Sequence, residues 1–204
     1  NIRVVLSIVA TEDLHLEQLK VKIAFLHGDL EEDIYMHQPE GFVEENKGSL
    51  VCKLRKSLYG LKQAPRQWYK RFDTLMMKIG FVRCHGDHCC YFKKLSTSYL
   101  ILLLYVDDML VVGLTIDEFR NLKSQLSEEF AIKDLGIATG ILGMRITRDR
   151  VNRLLKLSQA EYVEKVLKRS NMESAKSVST PIACHFWLSK EQAPKYPIRR
   201  QCGD

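Results

Sequence analysis

The amino-acid sequence predicts an α+β domain built on an antiparallel sheet with helices on one face. Three observations predict it. The stretch 99–113 runs apolar, then through the adjacent carboxylates Asp107 and Asp108, then apolar again. That is the pattern of a hairpin whose tight turn is acidic, because charge is costly within an apolar layer unless paired, protonated or bound to a cation. A strong amphipathic segment at 64–79 precedes the hairpin. Two capping boxes, Thr115 to Glu118 and Ser158 to Glu161, then open helices on either side of a second, basic hairpin.

The elements follow in order. A helix is expected over 2–13, with Ile2, Val5, Leu6 and Val9 at three- and four-residue spacing. Leu14, Leu16, Leu19, Val21 and Ile23 alternate loosely and predict a strand over 14–25. An acidic loop broken by Pro39 and Gly41 leads to a short strand at 50–54. The helix at 64–79 has Pro65 in its first turn, an apolar stripe of Trp68, Phe72, Leu75, Met76 and Ile79, and Gly80 to stop it. A strand at 89–95 and the Ser96-Thr97-Ser98 turn lead into the aspartate hairpin, with strands 99–106 and 109–113. A helix to about 130, a hairpin of 141–147 with 153–157 around Arg148-Asp149-Arg150, and a helix to about 170 complete the pattern. The tail from Ser174 is polar and has no period.

At 204 residues the chain holds one good-sized domain, and 46% hydrophobic with 27% charged residues is ordinary for a globular protein. The apolar run before Asp107 is far short of the roughly 20 residues that span a bilayer. The net charge of +6 is modest, but its distribution is not. Asp29 to Glu45 carries seven acids and no lysine or arginine. Asn46 to Phe72 carries eight bases, Lys47, Lys53, Arg55, Lys56, Lys62, Arg66, Lys70 and Arg71, and no acid. Such segregation predicts a cationic face, the footprint of nucleic-acid binding.

The six cysteines have no framework spacing, and with no secretory leader the expected location is intracellular, cytoplasmic or nuclear. Cys84-His85-Gly86-Asp87-His88-Cys89-Cys90 crowds its candidate ligands into seven residues. Structural zinc draws ligand pairs from two separated segments, so a loop entering a strand is expected instead. For Asp107 and Asp108 two readings stand open: a site for a hard divalent cation and an Asp-rich turn.

Five segments, in this order, resemble the reverse transcriptase of copia-type LTR retrotransposons: Val21 to Leu30, Ser57 to Arg66, Tyr105-Val106-Asp107-Asp108, Lys133-Asp134-Leu135-Gly136 and Leu142-Gly143-Met144-Arg145-Ile146. The resemblance runs from Ile2 to about Gln192. It implies a ferredoxin-like polymerase palm with partial fingers over 1–173, and over 174–204 a polar tail beginning the thumb or connection region and diverging after about 192. It implies RNA-directed DNA polymerase activity, with an RNA template, a DNA primer and dNTPs as partners and two Mg²⁺ ions as cofactors. No membrane is implied, and the given stretch is expected to hold neither an RNase H nor an integrase segment. Asp107 and Asp108 match the two acids of the YxDD motif, the catalytic and metal-binding pair. Phe25 resembles the steric gate against a ribose 2′-hydroxyl, and Gly60 and Gln63 fall in the segment lining the nucleotide site. Lys53, Arg55, Lys56, Lys62 and Arg66 would contact nucleic acid, and Gly143, Met144 and Arg145 resemble the primer grip.

One departure matters most. The family carries a third catalytic aspartate just before Val21-Lys22, and here that residue is Lys20. A lesser one is Ile23, where the family usually has threonine. Strand alternation places Gln18, Lys20 and Lys22 on one face, with Glu17 turned away and Asp29 beyond the strand. At ~4 Å and an effective dielectric of ~20, a unit-charge pair is worth about 4 kcal/mol, so lysine beside Mg²⁺ meets roughly 8 kcal/mol of repulsion. Losing even about 4 kcal/mol of transition-state stabilisation is on the order of a thousandfold in rate. The expectation is a catalytically impaired copy, with metal binding in doubt. The alternatives are a nucleic-acid-binding palm without catalysis and a relic with no selected role.

Overall fold

The computed structural model describes residues 2–179 and 189. The chain divides into two compact units, Asn1–Tyr162 and Val163–Asp204. At the centre of the first lies a six-stranded antiparallel sheet. Its order is β4 (Val82–Cys84), β5 (Asp87–Lys94), β6 (Tyr99–Tyr105), β7 (Asp108–Gly113), β1 (His15–Val21) and β8 (Ile132–Ile137). β6 and β7 form the expected hairpin, with Tyr105 opposite Asp108. β7 and β8 flank β1, so Lys20 lies opposite Asp108 on one side and Lys133 on the other. A small sheet of β9 (Gly140–Ile141), β10 (Met144–Asp149) and β11 (Leu154–Ser158), and a ribbon of β2 (Tyr35–His37) with β3 (Val51–Lys53), complete the strands among the described residues.

The middle of the large sheet is buried on both faces. On one, Leu19, Val21, Leu102, Leu104, Met109 and Val111 meet Trp68, Phe72 and Met76 of α2 (Ala64–Lys78) and Phe119, Leu122 and Leu126 of α3 (Ile116–Glu129). On the other, Leu16, Ile101, Leu103, Leu110 and Val112 meet Val5, Leu6 and Val9 of α1 (Ile2–Thr11), with Ile141 and Ile146 from the small sheet. Each large apolar side chain buried this way contributes roughly 1.5–3 kcal/mol relative to exposure. The α+β antiparallel architecture is as expected, but the placement of helices on one face is corrected. Strands covered on both faces have no polar alternate positions, and Tyr99–Tyr105 has none.

Several boundaries also move. The strand expected over 14–25 ends at Val21, because Ile23 takes left-handed φ/ψ of 50°/45° and turns the chain into a 3-10 turn, Ala24–His27. β2, β4 and β8 appear where no strand was expected. Thr115 does cap α3, but without a side-chain hydrogen bond, and Glu118 accepts from the Ser98 hydroxyl instead. The second box is likewise incomplete: Ser158 Oγ accepts from the Ala160 amide at 3.3 Å, while Glu161 is drawn to Arg145. Of the Cys84–Cys90 cluster only His85 and Gly86 form a turn; Cys84 ends β4 and Asp87–Cys90 already belong to β5, so the expected loop is shorter than its pattern implied.

α4 (Ala160–Arg169) runs from the first unit into the second and ends there on amides of Ser170 and Met172 donating to the Val166 and Leu167 carbonyls. Asn171 supplies the left-handed residue, with φ 52°, that such a terminus uses. The predicted divergence after about 192 lies outside the described residues. Among the described residues no helix is long and apolar enough to cross a membrane.

Candidate active site

The turn between β6 and β7 is only two residues long, Val106 and Asp107. Val106 has φ 58°, and a positive φ at the first loop residue is the pattern of turns that match strand twist. A β-branched residue is a poor fit there and costs on the order of 1–2 kcal/mol. Neighbours hold it in place. The Trp68 indole N–H of α2 donates to the Val106 carbonyl at 2.6 Å, and the Val21 amide of β1 donates to the Asp107 carbonyl at 2.8 Å. Part of the apolar stripe on α2 therefore does more than fill the core, fixing the backbone that carries both carboxylates.

Lys20 reaches this turn from the adjacent strand. Its Nζ lies 2.8 Å from Asp107 Oδ2 and 3.3 Å from Asp108 Oδ1. The three side chains are partly open, with exposures of 43% for Lys20, 30% for Asp107 and 23% for Asp108. The hydrogen bond to Asp107, followed by the charges of both aspartates, raises the lysine above its usual value despite the lowering effect of burial. The ammonium is thus the cation that the two carboxylates share. Glu17, one residue from Gln18, faces the opposite side and pairs with Lys123 of α3 at 2.5 Å. Asp29 pairs with Lys56, far along the chain. Neither supplies a third acid, and among the described residues no group of three His, Cys, Asp or Glu side chains is placed to hold a metal.

Beside Asp108 opens a groove of about 680 Å³, lined by Gln18 of β1, the 139–146 segment and Glu161. Gly143, Met144 and Arg145 are thereby brought to the same groove as Asp108. Gly143 holds φ 74°, which its lack of a Cβ allows. Gln18, expected on the Lys20 face from its two-residue spacing, lines the groove, although the sequence alone assigns it no binding role. Phe25, Gly60 and Gln63 do not line the groove. The Phe25 ring lies 4.5 Å from that of Tyr59, Gly60 takes φ 96° in the following turn, and the Gln63 amide donates to Glu32 at 2.9 Å.

The expected cationic face needs correction. The acidic and basic segments fold onto each other, β2 against β3, so that their charges pair: Lys53 with Asp33 at 2.7 Å, Lys70 with Glu31 at 2.5 Å, and Lys56 with Asp29. Segregation along the chain became complementarity in space, because opposite charges on adjacent strands attract. Arg55, Lys62 and Arg66 make no such ion pair among the described residues.

Residues 1–184 match the family described as reverse transcriptase (RNA-dependent DNA polymerase). The chain belongs to that family. It is 56% identical over 195 residues to the retrovirus-related Pol polyprotein from transposon TNT 1-94 of Nicotiana tabacum, covering 95% of this chain and 15% of the relative. It is 41% identical over 183 residues to the corresponding polyprotein from transposon RE1 of Arabidopsis thaliana, covering 90% and 12%. A Ty1-DR1 Gag-Pol polyprotein of Saccharomyces cerevisiae is 24% identical over 178 residues, covering 87% and 10%. No solved structure matches. This is a reverse transcriptase domain of a copia-type retrotransposon Pol polyprotein, and it spans about 15% of the tobacco relative's length.

Proposed function

We propose that this reverse transcriptase domain has the palm of an RNA-directed DNA polymerase and accommodates a template–primer duplex, but extends the primer poorly or not at all. The observation that carries the reading is the Lys20 ammonium seated between Asp107 and Asp108 at 2.8 and 3.3 Å. Polymerases of this family use two divalent ions, and such ions take carboxylate oxygens at about 2.0–2.1 Å. Here the same oxygens already hold a cation, and lysine offers no lone pair to a metal while it stays protonated. The donor set therefore does not suit a pair of Mg²⁺ ions.

The remaining residues support binding. Asp108 borders the groove that Gly143, Met144 and Arg145 line, and this proximity supports a primer-grip role for that segment. Arg55, Lys62 and Arg66 are available to phosphates, with Lys53 and Lys56 contributing only if their acidic partners are displaced. Phe25, Gly60 and Gln63 keep their proposed place about the nucleotide on the strength of the family alone.

Template–primer extension with Mg²⁺ or Mn²⁺ tests the reading, comparing the chain as it stands with Lys20→Asp. The expected result is little or no extension by the unaltered chain and a gain on restoring the acid. Robust extension by the unaltered chain would overturn it.

A further inference from the structure

Resting on the nucleic-acid reading above, we infer that Lys20 is a tethered cation that replaces divalent metal electrostatically, so that this domain binds a template–primer duplex without metal. The donor set that fails to suit a metal pair is, by the same geometry, already neutralised from within. Asp107, Asp108 and Lys20 together carry one net negative charge, where an aspartate at position 20 would leave three. Three bare carboxylates beside a groove repel a polyphosphate backbone until cations gather there, whereas a single net charge repels it far less.

The neighbouring strand adds to this. Lys133 of β8 lies directly opposite Lys20 of β1, and Lys20 directly opposite Asp108 of β7. Directly opposed residues of antiparallel strands share a face. The row Asp108, Lys20, Lys133 therefore crosses three strands on the side where Gln18 and Asp108 line the groove. An ammonium has three N–H donors. Those of Lys20 engage two carboxylate oxygens, and its 43% exposure leaves one free to meet a phosphate oxygen.

The test is fluorescence anisotropy with a labelled RNA–DNA template–primer duplex, at constant ionic strength, in EDTA and in magnesium. The unaltered chain is expected to bind equally in both, within about twofold, a difference near 0.4 kcal/mol. Lys20→Asp should bind about tenfold more weakly in EDTA, equivalent to about 1.4 kcal/mol, and recover with magnesium. Lys20→Arg should behave as the unaltered chain. Thermal melts confirm that each variant folds; if the aspartate variant does not, Lys20→Met takes its place, with weaker binding in EDTA expected. Magnesium-dependent binding by the unaltered chain would overturn the inference, as would a folded Lys20→Asp that binds equally well in EDTA. Absence of binding by the unaltered chain in either buffer overturns the nucleic-acid reading itself, a result separate from the other two.

Discussion

Replacing Lys20 by methionine keeps the stem of the side chain and removes its charge, leaving Asp107 and Asp108 adjacent with no cation between them. Two contacts are lost, at 2.8 and 3.3 Å. At an effective dielectric of ~20 their gross Coulomb energies are about 6 and about 5 kcal/mol, but those figures belong to charges kept out of solvent. Lys20 is 43% exposed, so solvent screening brings each pair towards the 0.2–1 kcal/mol typical of open ion pairs. Adding the repulsion between the two stranded carboxylates, Lys20→Met should destabilise the domain by about 1–2 kcal/mol. For a chain of this size that is a fall in Tm of roughly 2–8 °C. Circular-dichroism melts at low salt measure it, and the gap should narrow at high salt as the repulsion is screened. Because the lysine's value is raised on folding, its contribution is fully present below the unfolded value and disappears as pH rises through the folded one. The two proteins should therefore differ near neutrality and converge in strong alkali. A methionine variant as stable as the unaltered chain at neutral pH and low salt would refute the reasoning.

Three further outcomes follow from named contacts. Trp68→Phe removes the donor to the Val106 carbonyl and should cost about 1–3 kcal/mol, read as a lower denaturant midpoint with an unchanged slope. Gly28→Ala would place a Cβ 2.9 Å from both Gln67 Cβ and the Trp68 backbone nitrogen, and should destabilise by about 1–3 kcal/mol in the same assay. Hydrogen bonds from Lys56 and Lys70 hold Asp29 and Glu31 below the usual carboxylate range. Their contribution is present above the ordinary carboxylate values and is lost as pH falls through the depressed ones. Acidification should therefore loosen the 29–57 ribbon before the sheet, seen as early loss of protection at the Leu54 and Ser57 amides, which donate to the Ile34 and Gly28 carbonyls.

Much of this domain is legible in the order of its residues. The aspartate hairpin, α2 with Pro65 and Gly80, and α3 after Thr115 lie close to where their patterns place them, because each has strong local punctuation. β8 is not legible, because Lys133-Asp134-Leu135-Gly136 reads as a loop; it is an edge strand whose mostly exposed residues need no apolar alternation. The turn at Ile23 gave no warning, since a β-branched residue rarely takes a left-handed conformation. Two-sided burial is readable in the apolar runs 99–105 and 109–113 of β6 and β7, which have no polar alternate positions. Pairing between the acidic and basic segments could not be read from charge counts, because it depends on β2 meeting β3. At the site, the departure at Lys20 was plain, but its consequence was not. Charge arithmetic suggested an ammonium repelled from a metal, whereas the register of β1 on β7 delivers it to both carboxylates.

The most direct test is calorimetric titration of Mn²⁺ into the 204-residue chain and into Lys20→Asp. Occupation of the carboxylate pair by Lys20 predicts no saturable heat from the unaltered chain and saturable binding by the aspartate variant. Two ions taken up by the unaltered chain with ordinary affinity would contradict it.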